Sequence, residues 1–345
     1  MPRTPDMAVS RRKVRLAAAA GLIAAVAAMF TTCSLPNPPA ATPAGREAPA
    51  RGGADPMPVV RMPLYTDPDT QAARAALTLP KGSPQQRAAA RLAAVPQARW
   101  LTPTDGSANV GRYVEASTKA DATGVLVLYG IPQRDCGSYS AGGFATAGEY
   151  REWVDAVRAG IARRPVVVIV EPDALTSADC LTSTARAARM SLLRYAVHAL
   201  SADATTTVYL DGGHSRWKSP EELARLLAEA GVAQARGFSL NVSNFLTTAE
   251  QIDYGERVSR LLEDRAHYVI DTSRNGNGPA DAAPLNWCNP PGRAPGVRPT
   301  TNTAGAHADA YLWVKHPGES DGACRPGEPR SGLWFADYTV DLFTE

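Results

Sequence analysis

Pro165-Val-Val-Val-Ile-Val-Glu-Pro-Asp173 is the stretch on which the fold turns. Its apolar residues are β-branched and do not alternate with polar ones. Such a run suits a strand buried on both faces, as in parallel sheets covered by helices. Working outward, similar runs occur at Val125–Tyr129, Thr206–Leu210, Phe238–Val242, Tyr268–Ile270 and Ala310–Val314. Helical periodicity fills the intervals. Ala147–Arg164 spaces Tyr150, Trp153, Val154, Val157 and Ile161 along one face, and Thr184–Ala202 does the same with Leu192, Leu193, Ala196 and Leu200. Pro220–Ala230 starts with Ser219 as N-cap and Pro220 at the first helical position, and Gln251–Leu262 is a further helix. Strand–helix alternation in one long series predicts a parallel α/β architecture, with a barrel favoured over an open sheet.

Strand after strand runs into an acid. Val125–Tyr129 leads to Arg134 and Asp135, Pro165–Val170 to Glu171 and Asp173, and Thr206–Leu210 to Asp211. Tyr268–Ile270 leads to Asp271, and Ala310–Val314 to Lys315, Glu319 and Asp321. In a parallel barrel these ends share one face, where substrate loops gather. Carboxylates crowded together cannot all ionise, so repulsion and burial keep one protonated beside ionised partners. Glycoside hydrolysis needs that split. The bland alternative is a set of caps and loop anchors. It is weakened by Tyr129, Trp217, Trp287 and Trp313 in the same regions. Trp313 lies inside an apolar strand and is expected in the core, whereas Trp217 and Trp287 follow polar loop residues and are expected to face the cleft. His198 is expected to be structural. A divalent-metal site is the rival use of the acids, opposed by Lys315 and Arg134 among them.

Other chemistries lack their signatures. Gly213-His214-Ser215 does not form a GxSxG frame, and Asn275–Pro279 is glycine-rich without a P-loop lysine. The histidines show no HExxH spacing and the cysteines no CxxC. The 345 residues carry Lys+Arg 36 against Asp+Glu 34, a net charge of +2, too balanced for nucleic-acid binding through a basic field. A hydrophobic fraction of 44% supports a proper core.

The first residues are basic, and Leu16–Phe30 is an apolar run shorter than the about 20 residues of a bilayer span. Residues 1–33 therefore read as an export signal, with Ser10-Arg-Arg-Lys-Val14 similar to a twin-arginine motif. Cys33, at the end of the run, is a candidate lipid anchor; the alternative is a cysteine discarded with the signal. Residues 34–58, rich in Pro and Ala, read as an extended linker, and 59–345 as the single catalytic domain. Beyond the linker lie Cys136, Cys180, Cys288 and Cys324. An even number in an exported chain argues for two disulfides, with three pairings open.

Seven motifs together resemble glycoside hydrolase family 6, the inverting β-1,4-glucanases and cellobiohydrolases. They are Tyr129-Gly-Ile-Pro-Gln-Arg-Asp-Cys136, Val170-Glu-Pro-Asp-Ala-Leu175, Tyr209-Leu-Asp-Gly-Gly-His-Ser215, Asn241-Val-Ser-Asn-Phe245, Asp271-Thr-Ser-Arg-Asn-Gly276, Trp287-Cys288 and Trp313-Val-Lys-His-Pro-Gly-Glu-Ser-Asp-Gly322. The resemblance runs from about Pro63 to the C-terminus. It implies a distorted β/α barrel with fewer than eight strands.

The resemblance also implies roles. Asp173 resembles the general acid, and Asp135 the neighbour that keeps its pKa high and helps relay a proton from water. Asp321 is similar to the carboxylate proposed as general base, and Asp211 to a further supporting carboxylate. Tyr129 resembles the tyrosine under the distorted sugar. Lys315 and Glu319 look like ligands of sugar hydroxyls. His214, Asn241, Trp217 and Trp287 look like subsite residues, with Arg134 beside Asp135 favouring its ionised form. The implied disulfides are Cys136–Cys180 and Cys288–Cys324. Ala174 stands where many members carry Ser or Gly, and Gly212, Arg216 and His316 fall at variable positions.

The implied activity is hydrolysis of internal β-1,4-glucosidic bonds in cellulose or related glucans, with inversion, by a secreted enzyme acting as a monomer. No cofactor or metal is implied, and no nucleic acid or membrane span. Short intervals between motifs suggest an open cleft and endo-cleavage, and no separate cellulose-binding module is expected. The alternatives are an exo-acting cellobiohydrolase of the same family and a non-catalytic glucan-binding protein.

Overall fold

Seven strands lie side by side in the order in which the chain makes them, and every pairing is parallel. They are β1 (Arg99–Leu101), β2 (Gly124–Leu128), β3 (Val166–Val170), β4 (Thr206–Asp211), β5 (Gly237–Leu240), β6 (His267–Asp271) and β7 (Ala308–Leu312). The computed structural model describes residues 59–344. The export signal, Cys33 and the linker fall outside the described residues.

An unreversed strand order curls the sheet one way, as in a barrel. A doubly wound sheet would reverse direction at a switch point. Curling creates two different faces. Val125, Val127, Val167, Ile169, Tyr209, Val269, Ala310 and Leu312 point inward to one cluster. Leu126, Leu128, Val168, Val170, Leu210 and Ile270 point outward to the helices. Both sets are buried, which is why the strands read as continuous apolar runs. The outer edges, β1 and β7, share no ladder. Ala98 N–H nevertheless donates to Trp313 O at 3.0 Å beside them, and Trp100 Nε1 donates to Val314 O at 2.8 Å. The result is a seven-stranded, distorted α/β barrel.

The helices are α1 (Gln71–Thr78), α2 (Pro84–Ala93), α3 (Ser107–Lys119), α4 (Ala147–Ile161), α5 (Ser183–Ser201), α6 (Pro220–Glu229), α7 (Thr248–Leu261) and α8 (Ala336–Asp341). Thr146 and Glu149 form a reciprocal capping box that starts α4, and Ser219 Oγ accepts Glu222 N–H ahead of α6. The expected face of α4 is buried throughout. Among the described residues no helix is long and apolar enough to cross a membrane.

Strand β1 and helices α1 to α3 and α8 lie outside the sequence expectation. The fourth expected strand, Phe238–Val242, ends instead at Leu240, because Asn241 takes a left-handed conformation (φ 67°) that stops the ladder. The last one shifts to Ala308–Leu312, leaving Trp313 and Val314 to lead out toward the cleft.

Candidate active site

The acids at the strand ends divide into two groups. Glu171, Asp211 and Asp271 are buried and hold neighbouring loops by their backbone N–H groups. Glu171 accepts from Gly130 and Ile131 after β2. Asp271 accepts from Ser243 after β5 and from Val314 and Lys315 after β7. Asp211 accepts from Asp173 N at 2.9 Å, Gly213 N at 3.0 Å and Ser239 Oγ at 2.9 Å. For Glu171 and Asp271, then, the loop-anchor reading is the right one. The other acids, Asp135, Asp173, Glu319 and Asp321, line a cleft of about 1050 Å³ at the C-terminal end of the strands. Asp67 and Asp69, ahead of α1, join them.

The surroundings of Asp173 favour its protonated form. Burial disfavours its charge, and Asp211 and Asp135 add repulsion, so its pKa rises well above the ordinary carboxyl value. No described residue donates a hydrogen bond to its carboxyl oxygens. Asp211 is also raised by burial, to about 6, but its three donors favour the charged form. The surroundings of this pair therefore favour the charge on Asp211 and the proton on Asp173. The backbone around them is forced: Gln133, Asp135, Cys136, Glu171 and Asp173 all have positive φ. Such conformations cost about 1–3 kcal/mol each and cluster where side chains must be aimed.

Tyr129 stands beside this pair, edge-on to Trp100 with ring centroids 5.0 Å apart. The sequence expectation for Arg134 needs correction. It forms no ion pair with Asp135 among the described residues. Its guanidinium covers the Tyr129 ring at 4.2 Å and donates to Tyr129 O and Ser140 O. Adjacent residues in a turn with alternating φ signs point apart. Asp135 Oδ2 instead accepts Ser140 N–H at 2.7 Å.

Across the cleft, Asp321 Oδ2 takes Arg274 Nη1 at 2.8 Å and Asn289 N at 3.1 Å, while Lys315 Nζ lies 3.7 Å from Oδ1. Burial alone would raise the Asp321 pKa, but Arg274 and Lys315 hold it below the ordinary value. Arg274 is fully buried, lies 4.3 Å over the Phe245 ring, and was not singled out from the sequence. Glu319 pairs with His316 Nδ1 at 2.7 Å and accepts from Gln71 Nε2 of α1. Lys315 and Glu319 both line the cleft.

Trp217 and Trp287 are 43% and 41% exposed, and both line the cleft. Trp217 stacks on His214, 4.6 Å between centroids, and burial lowers the His214 pKa to about 4, which leaves it neutral near pH 7. Trp287 meets Tyr139 edge-on at 5.4 Å. Trp313 is buried, as expected. Asn241 differs from the expectation. It is fully buried, does not line the cleft, and donates to Leu246 O and Asp271 O. Trp100, Gln71, Arg99 and Arg74 line the cleft unforeseen, brought there by the N-terminal segment.

The two disulfides are Cys136–Cys180 and Cys288–Cys324. The first follows Asp135 directly and the second follows Trp287. Among the described residues, Cys288, Cys324 and Glu328 form the one group of metal-ligating type, and its cysteines are consumed by their disulfide. The loop after β2 meets the loop after β7 where Ser140 Oγ and Ser331 Oγ lie 2.7 Å apart.

Comparison with known proteins places the chain. The family model of glycosyl hydrolases family 6 matches residues 59–345. Endoglucanase 1 of Streptomyces halstedii is 41% identical over 307 residues, covering 87% of this chain and 91% of its own. Endoglucanase A of Cellulomonas fimi is 40% identical over 284 residues, but this chain spans only 60% of that protein's length. Among solved structures, the endoglucanase Cel6 of Mycobacterium tuberculosis, in complex with methyl-cellobiosyl-4-deoxy-4-thio-β-D-cellobioside, is 53% identical. It superposes with a TM-score of 0.79 over 83% of this chain and 97% of that one. A family match across the whole barrel, with a bacterial relative this similar along nearly its full length, makes this chain a member of glycosyl hydrolases family 6.

Proposed function

We propose that this chain is an endo-β-1,4-glucanase that cleaves cellulose or a related β-glucan with inversion. The observation that carries the reading is the division of charge between Asp173 and Asp211. It leaves a protonated acid facing a cleft that also presents Trp217, Trp287, Lys315 and Glu319. In this mechanism Asp173 delivers its proton to the glycosidic oxygen as the bond breaks. Tyr129, held by Arg134 and Trp100, supports the sugar at the cleavage point. A water on the opposite face of the sugar attacks the anomeric carbon and gives its proton to a carboxylate.

Asp135 and Asp321 are the candidates for that carboxylate. The ion pair with Arg274 reduces the proton affinity of Asp321. That favours Asp135, acting through water, with Asp321 stabilising positive charge on the sugar. The endo mode is supported by the endoglucanases named among the relatives and by the short intervals between the sequence motifs. Residues 1–33 as an export signal, 34–58 as a linker and secretion of the enzyme complete the proposal. Secretion agrees with the two disulfides, which persist in oxidising compartments. It does not require an anchor at Cys33.

The test is incubation of the full chain and Asp173→Ala with carboxymethyl cellulose, following viscosity and reducing ends together. A rapid viscosity fall with few new ends, lost in the variant, is the expected result. Proton NMR of the first products from cello-oligosaccharides should show the α-anomer. Cellobiose as the sole early product would overturn endo action. An initial β-anomer would overturn inversion, and tight binding without turnover would establish a binding protein.

A further inference from the structure

The His316 ring is fixed at both ends. Nδ1 lies 2.7 Å from Glu319 Oε1, and Nε2 faces the carbonyl oxygen of Ala98. A neutral imidazole carries one N–H. Either neutral tautomer would set a ring lone pair against one of these acceptors. Only the imidazolium satisfies both.

Each contact reaches a part of the molecule that matters. Ala98 is the residue whose N–H bonds Trp313 O beside the β1 and β7 edges, so the ring is tied to the barrel seam. Glu319 Oε1 also accepts from Gln71 Nε2, whose Oε1 in turn accepts Trp334 N–H. Two donors therefore occupy Oε1. No described residue donates to Glu319 Oε2, and Glu319 lines the cleft.

We infer that His316 is a positioning residue: as an imidazolium clamped between the Ala98 carbonyl and Glu319 Oε1, it presents the second oxygen of Glu319 to a sugar hydroxyl. The inference rests on Glu319 binding sugar in the reading above. Burial disfavours the charged ring, but Glu319 and the Ala98 carbonyl outweigh it, and the His316 pKa is raised above the ordinary value. Lys315 opposes this from the same loop. The other charged groups lining the cleft are Asp67, Asp69, Arg74 and Arg99 toward the N-terminus, Arg134, Asp135 and Asp173 after β2 and β3, and Asp321 and Arg330 after β7. A raised histidine pKa fixes the sign. The clamp is complete below the ordinary imidazole value and is lost as pH rises through the raised one. Because Glu319 binds while Asp173 transfers the proton, the loss appears in KM rather than kcat.

Two measurements on the full chain decide it. The first is a long-range ¹H–¹⁵N NMR titration of the histidine rings between about pH 5 and 9, with His316 identified by the signal missing from His316→Gln. His316→Asn serves if the glutamine variant does not fold. Both His316 nitrogens should be protonated at neutral pH and titrate above the ordinary value. A single neutral tautomer there would overturn the clamp. The second is the pH dependence of kcat and KM on cellohexaose. His316→Gln should raise KM about tenfold, as for loss of one charge-assisted hydrogen bond, with kcat nearly unchanged and the alkaline rise in KM gone. An unchanged KM profile would overturn the positioning role. A wild type that neither turns over nor binds cellohexaose would remove the sugar role together with the functional reading, while the NMR titration would still judge the clamp.

Discussion

Asp211 Oδ2 accepts the backbone N–H of Asp173 at 2.9 Å, so the group that repels the candidate acid's charge also fixes the turn that carries it. Asp211→Asn keeps an oxygen for that bond and removes the charge. The Asp173 pKa should then fall, because burial and Asp135 still raise it but the repulsion from Asp211 is gone. A general acid works only while protonated, so the alkaline limb of kcat should move down by about one pH unit. Activity near pH 7 should drop about tenfold or more. A pH–rate profile on a soluble β-glucan reads both, and an unmoved alkaline limb would remove Asp211 from the account of Asp173.

Arg274 is the buried cation that neutralises Asp321. Arg274→Met conserves much of the volume but leaves Asp321 with Lys315 as its remaining nearby cation. Breaking a buried pair from one side costs about 3–5 kcal/mol, so a large fall in Tm is expected. Asp321 has a depressed pKa in the native protein. Its contribution is present above the unfolded carboxyl value and is lost as pH falls through the native one. The gap in Tm between variant and wild type should therefore narrow in acid. Arg274→Met with Asp321→Asn should be more stable than Arg274→Met alone. Equal Tm values for the two variants would show that Asp321 is not the source of the cost.

What could be read from the sequence follows from how each part is buried. Strands β2 to β7 are covered on both faces and announce themselves as mostly apolar runs, interrupted at residues such as Ser239 and Asp309. Strand β1 spans only three residues, one of them Arg99, at an edge where no ladder continues. Helix α1 buries only Ala72 and Ala75, which gives a sequence pattern little contrast. Missing these elements hid the contact of Gln71 with Glu319, which are 248 residues apart. The acids at the strand ends were legible as a group but not as individuals. Glu171 and Asp173 are two residues apart, and a positive φ at each turns one into the wall and the other into the cleft. Asn241 was misread for a related reason. A polar residue just past a strand can serve the substrate or the backbone, and its amide serves Leu246 and Asp271.

Trp217 and Trp287 remain about two-fifths exposed although they are large and apolar. Their replacement by Ala should cost less stability than loss of a fully buried tryptophan, since about two-fifths of their surface stays in water. The cost should fall on substrate binding instead. A lost stacking contact worth about 0.5–1.5 kcal/mol corresponds to a rise in KM of about twofold to tenfold for each residue. Oligosaccharide kinetics beside thermal melts would separate the two effects. A fall in Tm with unchanged KM would make these residues packing elements.

At the opposite end of the barrel, Asp309 gathers a second set of partners that has no place in the chemistry. It is the extra residue of β7, set where the register with β6 shifts between Tyr268 and Val269. Its carboxylate takes both Arg236 Nε and Nη2, at 2.8 and 2.9 Å, and the Tyr209 hydroxyl at 2.6 Å. Burial works against its charge, but these donors prevail and its pKa is lowered to about 2. The shift from the ordinary value corresponds to about 2–3 kcal/mol of stability at neutral pH. Being depressed, the group contributes fully above the unfolded carboxyl pKa, and the contribution fades as pH falls toward about 2. Asp309→Asn should therefore lower the urea midpoint at pH 7, and the difference from wild type should shrink steadily below about pH 4. The kcat of the folded variant should be unchanged, because the network faces the N-terminal ends of the strands while the cleft lies at their C-terminal ends. A variant that unfolds like wild type at pH 7 would mean that desolvation of these groups cancels their attraction. One that folds normally but turns over slowly would mean that the barrel floor transmits strain to the site.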